Sequence, residues 1–188
     1  MMKKYTTKAG QHSSGFHLSR IIPLTWGYVR KRKLYVWGRF DASGFYEHAD
    51  GYRGWDKMFG GFNLQIWKQS DINSAMCATR CNWETGKYEI TGYANIDGEN
   101  VYDDEPWASV EEGLMVMNEY EFPEKNRVIL KAYTDAGTHW NPVGEADWRY
   151  PVNIQAGAII SPWFGGSRPA PNNIELNVRT EWVKKSNQ

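Results

Sequence analysis

Apolar and polar residues alternate with a period of two in stretch after stretch of this chain, the pattern of strands that bury one face and expose the other. Leu34, Val36, Gly38 and Phe40 interleave with Tyr35, Trp37, Arg39 and Asp41. Phe62, Leu64 and Ile66 interleave with Asn63, Gln65 and Trp67, and Ile90, Gly92, Ala94 and Ile96 with Glu89, Thr91, Tyr93 and Asn95. The same rhythm returns in Val128 to Tyr133 and in Ile174 to Arg179. Turn formers punctuate these runs: Asp41 to Gly44, Asp50-Gly51, Gly60-Gly61, Thr85-Gly86, Asp97-Gly98, Asp135 to Gly137 and Gly165-Gly166. The spacing predicts a hairpin around Glu84 to Lys87 and another closed by Asp97-Gly98.

Helical signals are few. Ser109 to Leu114 reads as one turn capped by Ser109, and Tyr52 to Met58 as a short second one. The segments 100–123 and 137–150 read as loops. Aromatic residues make up 15% of the chain, with 10 Trp and 11 Tyr, a composition that favours strands. Short strands, Gly and Asn turns and no βαβ rhythm give an all-β fold, an antiparallel two-sheet β-sandwich or jelly roll. At 188 residues, positions 1–188 are expected to form one domain.

Charge and processing signals narrow the function classes. The 22 basic and 22 acidic residues cancel, so no overall field recruits nucleic acid or an anionic membrane. The one dense basic run, Arg30-Lys31-Arg32-Lys33, reads as a solvated turn. The opening Met1-Met2-Lys3-Lys4 lacks the apolar stretch of a signal peptide, and no run is long enough to span a membrane, so cytoplasmic synthesis is expected. Cys77 and Cys81 fall in a predicted strand about 13 Å apart, too far for a disulfide, and are expected as buried thiols. No cofactor and no metal site is expected: neither Asp97-Gly98-Glu99 nor Asp103-Asp104-Glu105 has EF-hand spacing.

Two blocks resemble a known group. Gly54-Trp55-Asp56-Lys57-Met58-Phe59-Gly60, then Ala75 to Arg80, Gly86 to Ile90, Tyr93 and Asp97-Gly98, form the first. Pro162-Trp163-Phe164-Gly165-Gly166 with Pro169-Ala170-Pro171 and a last strand from Ile174 form the second. Together with Ala9 to Ser13 they resemble small concanavalin A-like jelly-roll proteins of tailed phages and bacteria. The resemblance implies a concave sheet related to those of lectins, glucanases and polysaccharide lyases, and a virion as one destination.

If Phe62, Leu64, Ile66, Ile90, Ala94 and Ile96 point inward, then Asn63, Gln65, Trp67, Glu89, Thr91, Tyr93 and Asn95 share the other face, and Arg80 joins them. Rings that stack on sugar C–H faces beside amides and charges that fork onto hydroxyls suit a glycan. The same residues also suit a protein interface or a solvated face with stabilising cross-strand pairs. Trp107 and Trp140 are candidate ligand contacts at the rim, with His139, Trp148 and Trp163 beside them, whereas Trp55 and Trp83 read as turn staples.

Catalytic patterns that the resemblance suggests are incomplete. Glu145-Ala146-Asp147 lacks the second Glu of a retaining glucanase pair. Arg179-Thr180-Glu181 stands in the last predicted strand, and Gln65-Ile66-Trp67 has Trp where an alginate-lyase motif has a proton-transferring His. The expectation is a non-catalytic module that binds a glycan or a virion partner protein, with a homo-oligomer left open. The alternative is a polysaccharide-cleaving lyase or glucanase of the same fold.

Overall fold

The computed structural model describes residues 1–12, 24–47, 51, 54–66, 71–160, 162–164 and 168–186. Among them, two antiparallel sheets pack face to face. The first has six strands in the order β1 (Lys3–Thr7), β13 (Ile174–Lys184), β3 (Arg32–Phe40), β9 (Met115–Glu124), β10 (Arg127–Asp135) and β11 (Trp140–Arg149). The second runs β2 (Leu24–Thr25), β12 (Ala156–Ile160), β4 (Gly61–Asn63), β5 (Asn73–Asn82), β6 (Lys87–Ile96) and β7 (Glu99–Tyr102), with β8 (Ala108–Val110) also paired to β6. A single helical turn, α1 (Trp26–Val29), leads into β3. The all-β two-sheet sandwich expected from the alternation is the fold observed.

The alternation works because one parity of each strand supplies the core. Leu34, Val36 and Phe40 of β3 and Val116, Tyr120 and Phe122 of β9 meet Phe62, Cys77, Tyr88, Ile90 and Ala94 from the opposite sheet. Each such large apolar side chain contributes about 1.5–3 kcal/mol on burial. Rings lock the layers together: Phe62 lies 4.7 Å from Phe122 and Phe40 stacks 3.9 Å from Tyr88. Two tyrosine hydroxyls sew the sheets through polar groups. The Cys77 N–H donates to Tyr120 Oη at 3.2 Å, and Tyr150 Oη donates to the Ser74 carbonyl at 3.0 Å. Cys77 and Cys81 are both buried free thiols on β5, and burial pushes the Cys77 thiol up to about 12.

Both predicted hairpins are present, joining β5 to β6 and β6 to β7. Asp97 and Gly98 both have positive φ, 54° and 87°, the two-residue turn whose twist matches its strands. The basic run is engaged locally. Arg32 lies over the Tyr28 ring at 3.9 Å, and Lys33 bonds Glu119 and Glu121 at 2.8 and 3.0 Å.

Several local expectations are corrected. Ser109 to Leu114 is not helical: Ser109 lies in β8, and Gly113 at φ 76° turns the chain into β9. Pairing with β6 outweighs the weak preference of a single turn. In the segment predicted as a second helix, Asp56 and Lys57 are extended and bridged to neighbouring strands, while Tyr52 and Arg53 lie outside the described residues. The loop expected over 100–123 holds β8 and most of β9, and that over 137–150 is largely β11. β11 is an edge strand whose first half is exposed on both faces, while Gly144, Ala146 and Trp148 turn inward, a short parity that small residues hide in the sequence. The strand expected over Phe62 to Trp67 pairs regularly only as far as Asn63.

Candidate functional site

The outward parity of the second sheet assembles one continuous surface. Register places Ala158, Asn63, Ser74 and Asn95 side by side across four strands, and Ile160, Gly61, Met76, Tyr93 and Tyr102 in the next row. Arg80 and Glu89 pair further along. Asn63, Glu89, Thr91, Tyr93 and Asn95 are all buried, so this face is the floor of a recess and not an open platform. The expectation of a solvated sheet face is corrected accordingly. Trp55, Met76, Ala78, Tyr93 and Ile160 form an apolar cluster on this side, separate from the main core.

The residues 55–57 continue the line of β4 and are held on both sides. Asp56 exchanges two backbone hydrogen bonds with Thr79 of β5, each 2.7 Å, and Lys57 exchanges two with Trp163, at 2.9 and 3.0 Å. Alternation then sends Asp56 inward and Trp55 and Lys57 outward. Inward, the Asp56 carboxylate accepts from the Tyr46 hydroxyl. Burial first, and that carboxylate second, drive the Tyr46 phenol far above its ordinary range. Outward, Lys57 Nζ donates to the Trp55 carbonyl at 3.2 Å and sits 4.0 Å from the centroid of the Tyr93 ring. Burial lowers the Lys57 pKa, with the Asp56 charge opposing it. A half-buried lysine whose pKa is lowered by burial, against a tyrosine, gives up its proton more readily than an exposed one.

Fixed polar groups surround that pair. The Arg80 guanidinium stacks on the Trp55 ring at 4.2 Å and gives Nε to Glu89. Asn82 donates to the other oxygen of Glu89 at 2.7 Å. Asn95 Nδ2 donates to Ser74 Oγ at 3.0 Å, and the Asn63 amide oxygen accepts from the Gln65 N–H at 3.0 Å. Tyr102 stacks on Tyr93 at 5.3 Å with planes 4° apart. Trp163, across the bridge from Lys57, stacks on His12 at 5.9 Å.

Of the residues singled out from the sequence, Asn63, Arg80, Glu89, Tyr93 and Asn95 come together on this floor. Gln65 lies just past the end of β4, bridged to Ala156 and accepting from Asn73 at 3.4 Å. Trp67 lies outside the described residues. Trp107 is placed between the sheets: a Cβ at Gly92 of β6 or at Gly144 of β11 would overlap its ring, and its Nε1 donates to Asp103 at 3.0 Å. The missing side chains on two facing strands make the slot that this indole fills. Trp140 and His139 sit at the exposed start of β11 in the other sheet. Trp148 belongs to the main core, and Trp83 is exposed at the β5–β6 turn. Trp55, read as a turn staple, is instead the shelf under Arg80.

Lys57 was missed by sequence reasoning. Its signal is a lone cation between Trp55 and Phe59 inside a glycine-bounded segment, visible once that segment is known to lie beside β5. Among the described residues, no group of three or more His, Cys, Asp or Glu side chains is arranged to hold a metal ion. No helix among them is long and apolar enough to cross a membrane.

No protein-family model matches the sequence, and no curated protein matches it significantly. Solved structures do match. The alginate lyase Aly36B, in a form with a lysine and a tyrosine replaced by alanine and in complex with alginate tetrasaccharide, aligns with a TM-score of 0.58 at 11% identity. That alignment covers 98% of this chain and 81% of that one. A second structure of Aly36B gives 0.56 at 12% identity over 98% and 80%. The fold is therefore the jelly-roll sandwich of these neighbours. These neighbours are enzymes, which overturns the expectation of a non-catalytic module. That expectation rested on incomplete carboxylate and lyase motifs; Lys57, at an isolated bridge, and Tyr93, on β6, share no local motif.

Proposed function

We propose that this protein is a polysaccharide lyase that cleaves a uronic-acid polymer by β-elimination on the recessed face of its second sheet. The observation that carries the reading is the Lys57–Tyr93 pair, a lysine with lowered pKa held over a tyrosine ring in a polar recess. The similarity in fold to an alginate lyase captured with its tetrasaccharide after a lysine and a tyrosine were replaced supports looking for lysine and tyrosine side chains in this role.

In this reading the uronate carboxylate lies toward Arg80, whose Nε is held by Glu89 and whose terminal nitrogens can fork onto it. Neutralising that carboxylate makes the adjacent C5–H acidic. Neutral Lys57 takes the C5 proton, the electron pair forms the C4–C5 double bond, and the C4–oxygen bond to the leaving sugar breaks. The Tyr93 hydroxyl gives that oxygen its proton, producing one unsaturated end and one new hydroxyl-bearing chain. Lys57 then releases that proton to solvent and Tyr93 regains one from it, which restores both groups for the next turnover. With Lys57 and Tyr102 against its ring, Tyr93 offers the sugar its hydroxyl more than its faces.

A panel of alginate and other polyuronates, followed by the ultraviolet absorbance of unsaturated ends, tests the proposal. Absorbance that grows with wild type and is abolished in Lys57→Met supports it; no product with any polyuronate overturns it. Carriage on a phage particle rests on the sequence resemblance, and uronan cleavage would suit a virion facing a polysaccharide-coated cell.

A further inference from the structure

The recess is flanked along one line by two exposed rings. Across the strands the order is Trp163, the 55–57 segment, β5, β6 and β7 with Tyr102. Trp163 is 38% exposed and Tyr102 42%, among floor residues that are almost wholly covered. Each exposed ring is backed by another: His12 lies parallel to Trp163 within 18°, and Tyr93 parallel to Tyr102 within 4°. The backbone behind Trp163 is fixed as well, by the exchange with Lys57 and by the Phe164 N–H donating to the His12 carbonyl at 2.7 Å. Both rings are held in place before a ligand arrives, so stacking on them costs little side-chain entropy.

Four strand spacings separate the two rings, roughly 19 Å. That distance suits several linked sugars and not one. Lys57 and Tyr93 lie between the rings, so a chain that touched both would present an internal bond to them. We infer that Trp163 and Tyr102 are sugar-stacking platforms at opposite ends of the substrate track, and that they make cleavage endolytic. This inference rests on the uronan reading above for its ligand, but it assigns two residues and a cleavage pattern that the lysine–tyrosine pair does not require.

The test separates binding from turnover. Alginate oligosaccharides from dimer to hexamer are titrated into Lys57→Met calorimetrically, alone and combined with Trp163→Ala, Trp163→Phe or Tyr102→Ala. The expected result is affinity that climbs with length until both rings are reached, then levels. Each alanine variant should weaken the long oligomers about tenfold, the size of one ring contact, while Trp163→Phe restores most of the loss. A dimer should notice at most one of the two changes. Unchanged affinity of long oligomers in both alanine variants overturns the inference, as does wild-type product from polymer that is only dimer from the first minutes. Length-dependent binding without turnover in wild type would sink the lyase reading and leave the track standing, whereas no binding at any length would sink both.

Discussion

Lys57 Nζ sits 4.0 Å from the centre of the Tyr93 ring, although the two residues belong to segments that are not adjacent in the sheet. Lys57 reaches across β5 because that strand presents Ala78 in the intervening outward position. Ala78→Leu should therefore displace the lysine head. Ala78 is fully buried in the cluster with Trp55, Met76, Tyr93 and Ile160, so the expected outcome is a fall in kcat of tenfold or more together with an overpacking cost of about 1–3 kcal/mol. Steady-state rates beside a melting curve check it.

The lowered Lys57 pKa carries a pH signature in stability. Burial makes the folded protein bind this proton more weakly than the unfolded chain, whose lysine titrates near 10.4. Between the folded and unfolded values the unfolded chain holds more protons, so this residue's contribution to stability rises with pH there and is unfavourable below. Lys57→Met should therefore raise the melting temperature near neutrality and flatten the rise on the alkaline side. Activity runs in the same direction, growing as the amine loses its proton. Melting curves of both proteins across neutral and alkaline pH check the sign.

Trp107 provides a structural prediction. Trp107→Ala empties the slot between Gly92 and Gly144 and should cost about 3 kcal/mol. Gly144→Ala forces a methyl into the ring and should cost about 1–3 kcal/mol. Oligosaccharide affinity of the folded fraction should stay at the wild-type value in both. Denaturant midpoints with calorimetric titration separate the two effects.

Tyr46 supports the 55–57 segment from behind. Tyr46→Phe removes a hydrogen bond to a buried carboxylate and should cost about 1.5–3 kcal/mol. Because Asp56 and Lys57 are consecutive, the turnover lost should exceed the affinity lost. Comparing kcat with KM in the variant distinguishes this from general loosening.

The fold was legible because its core strands are two-faced: Leu34, Val36, Ile90 and Ala94 mark buried parity directly. The same parity placed Asn63, Glu89, Tyr93 and Asn95 on one face and Arg80 with them. Where parity carries no signal the reading failed. β11 is exposed over its first half because it is an edge, and its inward residues Gly144 and Ala146 are too small to mark a face; β8 is too short to alternate. Trp107 looks like any rim tryptophan until Gly92 and Gly144 are seen facing each other. Lys57 is brought to Tyr93 only by the bridges of Asp56 to Thr79 and of Lys57 itself to Trp163, pairings between distant segments that no local spacing encodes. A search confined to carboxylate pairs and a Gln-x-His triplet therefore passed over this pair.

Mass analysis of the fragments from one defined uronate oligosaccharide tests the central claim most directly. Elimination moves a proton and adds nothing, so the two fragment masses should sum to that of the parent, with the unsaturated end on the fragment that carried the leaving bond at C4. Fragments whose masses sum to the parent plus one water, or an oligosaccharide left intact by wild type while Lys57→Met still binds it, would contradict the account.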